Sequence, residues 1–144
     1  MSVPSILAPA AVLVLWSLVV LAWVTATRFP AFAKAGIDVA NTPRGARYAD
    51  VEKDMPAKVN WVSHNYTHLM EQPTLFYAAV AILAIAGDTS AVSLYAAWGY
   101  AVIRIVHSLW QGLVNIVKVR IVLFTASTIC LWVLAITGVR ATLA

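Results

Sequence analysis

Long apolar runs alternate with short polar breaks along the chain, and this pattern predicts membrane-spanning helices. The first run extends from about residue 5 to residue 27 without a charge, and further runs cover residues 62–86, 93–117 and 121–138. Each run has roughly the 20 residues that a helix needs to cross the hydrocarbon core of a bilayer. The first run is also longer than a signal-peptide core of about 7 to 15 apolar residues. We therefore predict one all-α domain over residues 1–144, an integral membrane four-helix bundle.

The breaks between the runs differ in length and composition. Residues 28–60 contain charges of both signs together with proline and glycine, and they are predicted to form the one long loop. The second helix is expected to begin near Asp54 and Pro56, because an aspartate cap followed by proline favours a helix start. The third break lacks proline and glycine, but one helix over residues 93–138 would be about 69 Å long, more than twice the hydrocarbon thickness. A turn is therefore predicted between residues 115 and 120.

Composition excludes several protein classes. Hydrophobic residues make up 62% of the chain and charged residues 11%, with a mean hydropathy of +0.83, whereas soluble domains have about 25% charged residues. A soluble enzyme, a disulfide scaffold and a disordered tail are excluded. The only cysteine, Cys130, lies within an apolar run and is interpreted as a small buried hydrophobe.

The net charge of +4 is better explained by membrane topology than by nucleic-acid binding, because the basic residues flank the predicted spans. The first loop contains six of them, and Lys118 and Arg120 lie in the third connection, against Arg140 alone at the opposite face. Basic residues favour the cytoplasmic side. Both termini are therefore predicted to lie outside, with the first loop in the cytoplasm.

Two of the predicted helices carry polar residues at helical spacing. The third helix has such residues at intervals of 3, 4, 4 and 3: Arg104, His107, Gln111, Asn115 and Lys118. The second has His64, His68 and Glu71 at intervals of 4 and 3. Because these spacings keep side chains on one helix face and polar groups are costly in lipid, we expect the two stripes to face each other across a shared polar cavity.

Arg104 and Glu71 are the charges expected to meet in this cavity. A buried arginine needs a partner, and Glu71 is the only acidic residue within the predicted spans. Counting along the helices places Glu71 level with the segment from His107 to Gln111. Pro73 removes a backbone donor and leaves the carbonyl of Leu69 unpaired, so a kink that opens the bundle is predicted beside Glu71. An Arg104–Glu71 pair with a purely structural role is the alternative interpretation.

Other chemistry is conceivable for the same residues. His64, His68 and Glu71, with His107, have the ligand types of a zinc or iron site, and two histidines can hold haem. Glu71 as a lone membrane carboxylate is compatible with a small proton-coupled transporter. The six tryptophans are interpreted as interface or packing residues. No metal site is retained as the leading prediction.

The chain resembles the MAPEG family, the membrane-associated proteins of eicosanoid and glutathione metabolism. The resemblance rests on the four predicted spans, the long first loop, the segment Glu71-Gln72-Pro73, the Arg104-x2-His107 motif and the basic residue that follows it at Arg120. It implies a bacterial-type member in the inner membrane. It also implies a homotrimer, with glutathione as co-substrate bound between protomers and open to the cytoplasm.

The resemblance also implies roles for individual residues. Arg120 matches the arginine that stabilises the glutathione thiolate, and Glu71 matches the residue that binds the glutathione amino group. His68 stands where the family usually has asparagine. The candidate binding residues are His68, Glu71, Arg104, His107, Gln111, Lys118, Tyr66 and Arg28.

Two functional hypotheses follow from the resemblance. The first is a glutathione-dependent transferase or peroxidase that acts on lipophilic small molecules, in contact with membrane lipids and with its own copies. The second is a binding or structural protein of the same fold that has lost the chemistry. The second is favoured by two departures from the family: no arginine precedes Glu71 in the preceding helical turns, and Gln111 replaces a common tyrosine.

Overall fold

The computed structural model describes residues 4–143, and within that range all regular structure is helical. The six α-helices are α1 (Leu7–Lys34), α2 (Tyr48–Val51), α3 (Ala57–Met70), α4 (Pro73–Ile85), α5 (Ala91–Leu113) and α6 (Val117–Leu143). Two 3₁₀ turns, Val39–Asn41 and Glu52–Asp54, lie in the connection between α1 and α3. The predicted all-α bundle is confirmed.

Three segments are long and apolar enough to cross a membrane: Leu7–Lys34, Ala57–Ile85 and Val117–Leu143 among the described residues. The helix α5 has 23 residues, about 34 Å at the helical rise, but it carries the polar stripe and is not among these three segments. The protein is thus a membrane helical bundle. A fourth crossing by α5 stays a prediction.

The helix bounds differ from the expected ones at the end of α1 and at the turn between α5 and α6. The first helix continues through Pro30 to Lys34, so the first turns of the predicted loop are helical. It ends where Gly36 takes a positive φ of 70° and the Ile37 N–H donates to the carbonyl of Phe32, a common helix C-cap. The turn between α5 and α6 occupies residues 114–116 and therefore lies earlier than predicted.

The second predicted span is interrupted rather than merely bent. The helix α3 ends at Met70 and α4 begins at Pro73, with Glu71 between them at φ −86° and ψ −97°. Proline favours the first position of a helix because it lacks the donor that would be unpaired there. Pro73 therefore starts a new helix, and the predicted opening beside Glu71 is a break between two helices.

The core is built around α5, which packs most extensively on α6 and also contacts α1 and α3. Buried residues at helical spacing on α1, among them Leu13 and Val20, join Phe76 and Leu83 of α4 in one cluster. The rings of Phe76 and Tyr100 stack with centroids 4.3 Å apart. This arrangement fixes α5 with its polar stripe directed at α3.

One close helix contact gives a stability prediction. A Cβ added to Gly112 of α5 would lie 2.6 Å from Cη2 of Trp23 on α1, whereas one added to Gly138 of α6 would lie 3.6 Å from the nearest atom, on Ile82. We expect Gly112→Ala to lower the free energy of unfolding by about 1 to 3 kcal/mol through overpacking. Gly138→Ala should be neutral or stabilising by up to about 1 kcal/mol, since alanine favours helix. Thermal unfolding of both variants in detergent measures this, and equal stabilities would contradict the close packing of α1 on α5.

Candidate functional site

Polar side chains of α3, α5 and α6 meet around a cavity of about 240 Å³. Its lining consists of His68, His107, Val117, Arg120, Ile121 and Phe124. The imidazole rings of His68 and His107 stack with centroids 5.4 Å apart and planes inclined by 22°. The two polar stripes therefore contact each other, as predicted, through His68 and His107.

Arg104 lies behind the histidines, with 1% of the residue exposed. Its Nη2 donates a hydrogen bond of 2.8 Å to the backbone carbonyl of His68. Its Nε and Nη1 are buried without a hydrogen-bond partner, and its Cζ lies 5.6 Å from the ring centroid of Phe124. A buried guanidinium with two unused donor groups is costly, and this feature marks the region as a candidate anion site.

Arg120 enters the cavity from the first turn of α6. Its Nη1 donates a hydrogen bond of 2.8 Å to Oδ1 of Asn115, while its Nε is buried and unpartnered. Asn115 adopts a left-handed φ of 58°, a conformation that asparagine tolerates better than most residues. The turn itself therefore positions the arginine.

The expected ion pair between Arg104 and Glu71 is not formed. Glu71 sits in the helix break with 60% of its side chain exposed, and its Oε2 lies 3.9 Å from Nε2 of His68. The carbonyl of His68 takes the place of the carboxylate as partner of Arg104. Counting along an unbroken helix misplaced Glu71 because the helix breaks at this residue and its side chain is exposed.

The remaining predicted residues divide into those near the cavity and those away from it. Gln111 is buried on α5, and its Oε1 has no partner. Asn115 and Lys118 do not belong to the α5 stripe, because α5 ends at Leu113, and Lys118 is exposed at the start of α6. Tyr66 and Arg28 do not line this cavity. Arg28 lines a separate one at the end of α1.

The metal and haem interpretations find no support in the geometry. His64 is drawn away from the cavity, with its Nε2 2.5 Å from Oε1 of Glu52, and within residues 4–143 no three histidine, cysteine or acidic side chains come together. The two stacked imidazoles face each other ring to ring, whereas axial ligands of one iron point their nitrogen atoms at it.

Two features of the site were not predicted. The ring centroid of Phe124 lies 5.7 Å from that of His68, and Phe124 lines the cavity, but it belongs to a mainly apolar run without a clear periodic signal. Gln72 links three helices, since its Nε2 donates to Oγ1 of Thr128 at 2.9 Å and its Oε1 accepts from the hydroxyl of Tyr100 at 3.2 Å. The link was not predicted because Tyr100 lies before Arg104, the first residue of the predicted polar stripe on α5.

The charges that line the cavity are all of one kind. Arg120 lines it and Arg104 lies behind it, while no carboxylate is among the lining residues. Such a set favours an anionic ligand and lowers the energy of negative charge that develops within it.

Comparison with known proteins identifies the family. The model of the MAPEG family matches residues 6–140, nearly the whole chain. The searches of curated proteins and of solved structures found no match to the chain.

The unpaired guanidinium of Arg104 leads to a prediction about stability. Replacing a buried charge by an apolar side chain of similar volume is often neutral or stabilising, so Arg104→Met should unfold at the same temperature as the parent protein or above it. Arg104→Ala should lose about 2 to 4 kcal/mol, because it leaves a cavity. Thermal unfolding in detergent compares the two variants. A loss as large in Arg104→Met as in Arg104→Ala would show that the guanidinium is a structural requirement.

Proposed function

The chain belongs to the MAPEG family, and from that premise we propose that it is a glutathione-dependent membrane enzyme that acts on lipophilic substrates. The reaction would be conjugation of the thiol to an electrophile or reduction of a peroxide. The observation that carries the proposal is the cavity beside His68 and His107. It brings the cation of Arg120 to an anion-sized space and leaves buried donor groups of two arginines unused.

The unpaired groups fit the thiol-bearing tripeptide. Glutathione is an anion with several carbonyl and carboxylate oxygens, and the free donors at the site are Nε and Nη1 of Arg104 and Nε of Arg120. Charge-assisted hydrogen bonds of this kind contribute roughly 1.5 to 3 kcal/mol each. In the proposal, Gln111 supplies a further polar contact, and Glu71 binds the amino group from the helix break.

Arg120 is the proposed catalytic residue. A cation beside a thiol lowers the pKa of that thiol and raises the fraction of thiolate at neutral pH. Asn115 holds one side of the guanidinium and so leaves the rest of the group for the sulfur. In the transferase reaction the thiol proton passes to solvent, the sulfur forms a bond to an electrophilic carbon, and the leaving group departs with the bonding electron pair.

An apolar groove near the cavity supports a lipophilic second substrate. The groove has a volume of about 550 Å³ and is lined by α4 and α6, with Gln72 and Thr128 among its lining residues. Thr128 follows Phe124 of the cavity by one helical turn, so α6 lines both spaces. An apolar chain in the groove would present its reactive end toward Arg120.

The small size of the cavity supports a site that is completed by a second copy of the chain. At about 240 Å³ it is smaller than ligand pockets in general, which are about 300 to 1,000 Å³. Two of its lining residues, Val117 and Ile121, are each 60% exposed. We therefore propose that a neighbouring copy completes the site, in a homotrimer like that implied by the resemblance. The bilayer is proposed to be the bacterial inner membrane, with the first loop in the cytoplasm.

Arg120 and Lys118 provide a matched pair of variants for the proposal. Both residues lie in the first turn of α6, but only Arg120 lines the cavity. Arg120→Ala should lower the rate of glutathione conjugation to 1-chloro-2,4-dinitrobenzene by about 100-fold at neutral pH, the scale of losing one stabilising charge. Its pH–rate profile should move to higher pH, because the bound thiol loses the cation that lowers its pKa. Lys118→Ala should retain nearly the parent rate and profile.

Equal rates in the Arg120→Ala and parent proteins would remove Arg120 from the mechanism. Equal losses in Arg120→Ala and Lys118→Ala would instead indicate a diffuse effect of positive charge. Either result would overturn the assignment of Arg120 as the residue that stabilises the thiolate.

The second candidate function is binding without catalysis. It is favoured by the exposure of Glu71 and by Gln111, which stands where tyrosine is common in the family. Calorimetric titration with glutathione distinguishes the two proposals. Heat of binding at millimolar thiol that is lost in Arg104→Met supports the glutathione site, whereas no heat in the parent protein supports the non-catalytic alternative.

A further inference from the structure

A second cavity, of about 280 Å³, lies where α1 meets the loop that follows it. Eleven residues line this cavity, and its only charged ones are two arginines, Arg28 and Arg47. Aromatic and aliphatic side chains make up much of the remainder, including Phe29, Phe32 and Tyr48. A basic site with an apolar lining fits an amphiphilic anion better than a hydrophilic one.

Arg28 is held in place but keeps donor capacity. Its Nη2 donates a hydrogen bond of 2.9 Å to Oγ of Ser63 on α3, and its Cζ lies 3.9 Å from the ring centroid of Tyr48. The Tyr48 hydroxyl donates in turn to Oδ1 of Asn60 at 2.6 Å, which anchors α2 to the start of α3. The Nε of Arg28 is buried and has no hydrogen-bond partner.

Three acidic residues of the loop, Asp38, Asp50 and Glu52, have other partners. Hydrogen bonds from the Asn41 side chain and from the Ala40 N–H hold the pKa of Asp38 below its ordinary value. Asp50 accepts the N–H of Arg47 at 2.7 Å, and Glu52 contacts His64. Within residues 4–143 the ion pairs are those of His64 with Glu52 and of His68 with Glu71. Both arginines of the cavity are therefore left for an external anion.

The depth of the cavity indicates where that anion comes from. Arg28 lies 21 residues after Leu7 in the same helix, which places it about 32 Å along the axis, against a hydrocarbon thickness of about 30 Å. Arg28 is thus at headgroup level when α1 spans the bilayer. Phe29 of the lining is 55% exposed on this membrane helix, so the cavity is open toward lipid.

We propose that this cavity binds the phosphate headgroup of an anionic phospholipid. Arg28 and Arg47 contact the phosphate, and the aromatic side chains contact the glycerol and the first carbons of the acyl chains. None of its lining residues lines the cavity of His68 and Arg120. The site therefore anchors the loop to the membrane surface independently of the thiol chemistry.

Titration of the full-length, delipidated protein in detergent tests the proposal. The probe is dioctanoyl phosphatidylglycerol, with dioctanoyl phosphatidylcholine as the zwitterionic comparison, and native mass spectrometry measures bound lipid. We expect Arg47→Gln to weaken phosphatidylglycerol binding about fivefold, the effect of one basic residue near a membrane surface. Arg28→Gln should weaken it at least about tenfold, since it also removes a charge-assisted hydrogen bond. Arg44→Gln removes the same charge from the same loop outside the cavity and should change binding by less than about twofold.

Four results would overturn the proposal. Two concern affinity: equal weakening of phosphatidylglycerol binding in Arg47→Gln and Arg44→Gln, or equal affinity of the parent protein for phosphatidylcholine and phosphatidylglycerol. Two concern competition: displacement of the bound lipid by an equal concentration of inorganic phosphate, or displacement by glutathione. The last would place Arg28 in the thiol site instead. If Arg28→Gln fails to fold, Arg47→Gln decides the question, because Arg47 is exposed and makes no side-chain ion pair among the described residues. Transferase activity should be unchanged in Arg47→Gln, so failure of this proposal is distinguishable from failure of the proposed function.

Discussion

The hydrogen bond from Arg104 to the carbonyl of His68 is the interaction on which the candidate site depends. An arginine at the centre of a membrane helix costs roughly 3 kcal/mol or more, and this one is buried without a carboxylate partner. The interruption after Met70 frees backbone carbonyls, and one of them accepts from the guanidinium. The break therefore supplies the hydrogen-bond acceptor that Arg104 uses in place of a carboxylate. Together they bring His68 onto the ring of His107 and leave a cavity beside the pair.

The bundle inverts the usual distribution of polar residues because its solvent is lipid. On α5 the buried positions include Arg104, His107 and Gln111, while Val102 and Val106 are exposed. The same holds for α6, whose apolar window is only 17% buried. In water such faces would be an aggregation hazard, but in a bilayer they contact acyl chains.

Periodicity predicted the helices and the α5 stripe because burial of polar groups at spacings of three and four is a strong constraint on a membrane helix. The predictions from periodicity that were wrong concern single residues near breaks or within apolar runs. Asn115 leaves the stripe because a left-handed φ ends the helix there, and glycine-free turns of this kind have weak signals. Glu71 turns outward because the chain breaks where only a kink was predicted. Phe124 was not predicted because the polar residues near it on α6, Thr125, Ser127 and Thr128, form no stripe at helical spacing that would mark its face.

The helix α3 separates two basic regions with different surroundings. Ser63 and His68 are five residues apart, which rotates their side chains by about 140° around the helix axis, so one receives Arg28 and the other contacts His107. The region at Arg28 has an apolar lining and lies at headgroup depth, whereas the region at Arg120 has imidazoles and unpaired buried donors. The two proposals therefore assign different roles to the arginines on either side of α3. In the proposal for the region at Arg28, the arginine binds the negative charge of a lipid headgroup. In the proposal for the region at Arg120, the arginine stabilises a bound thiolate deeper in the bundle, where charge interactions are stronger because water is excluded.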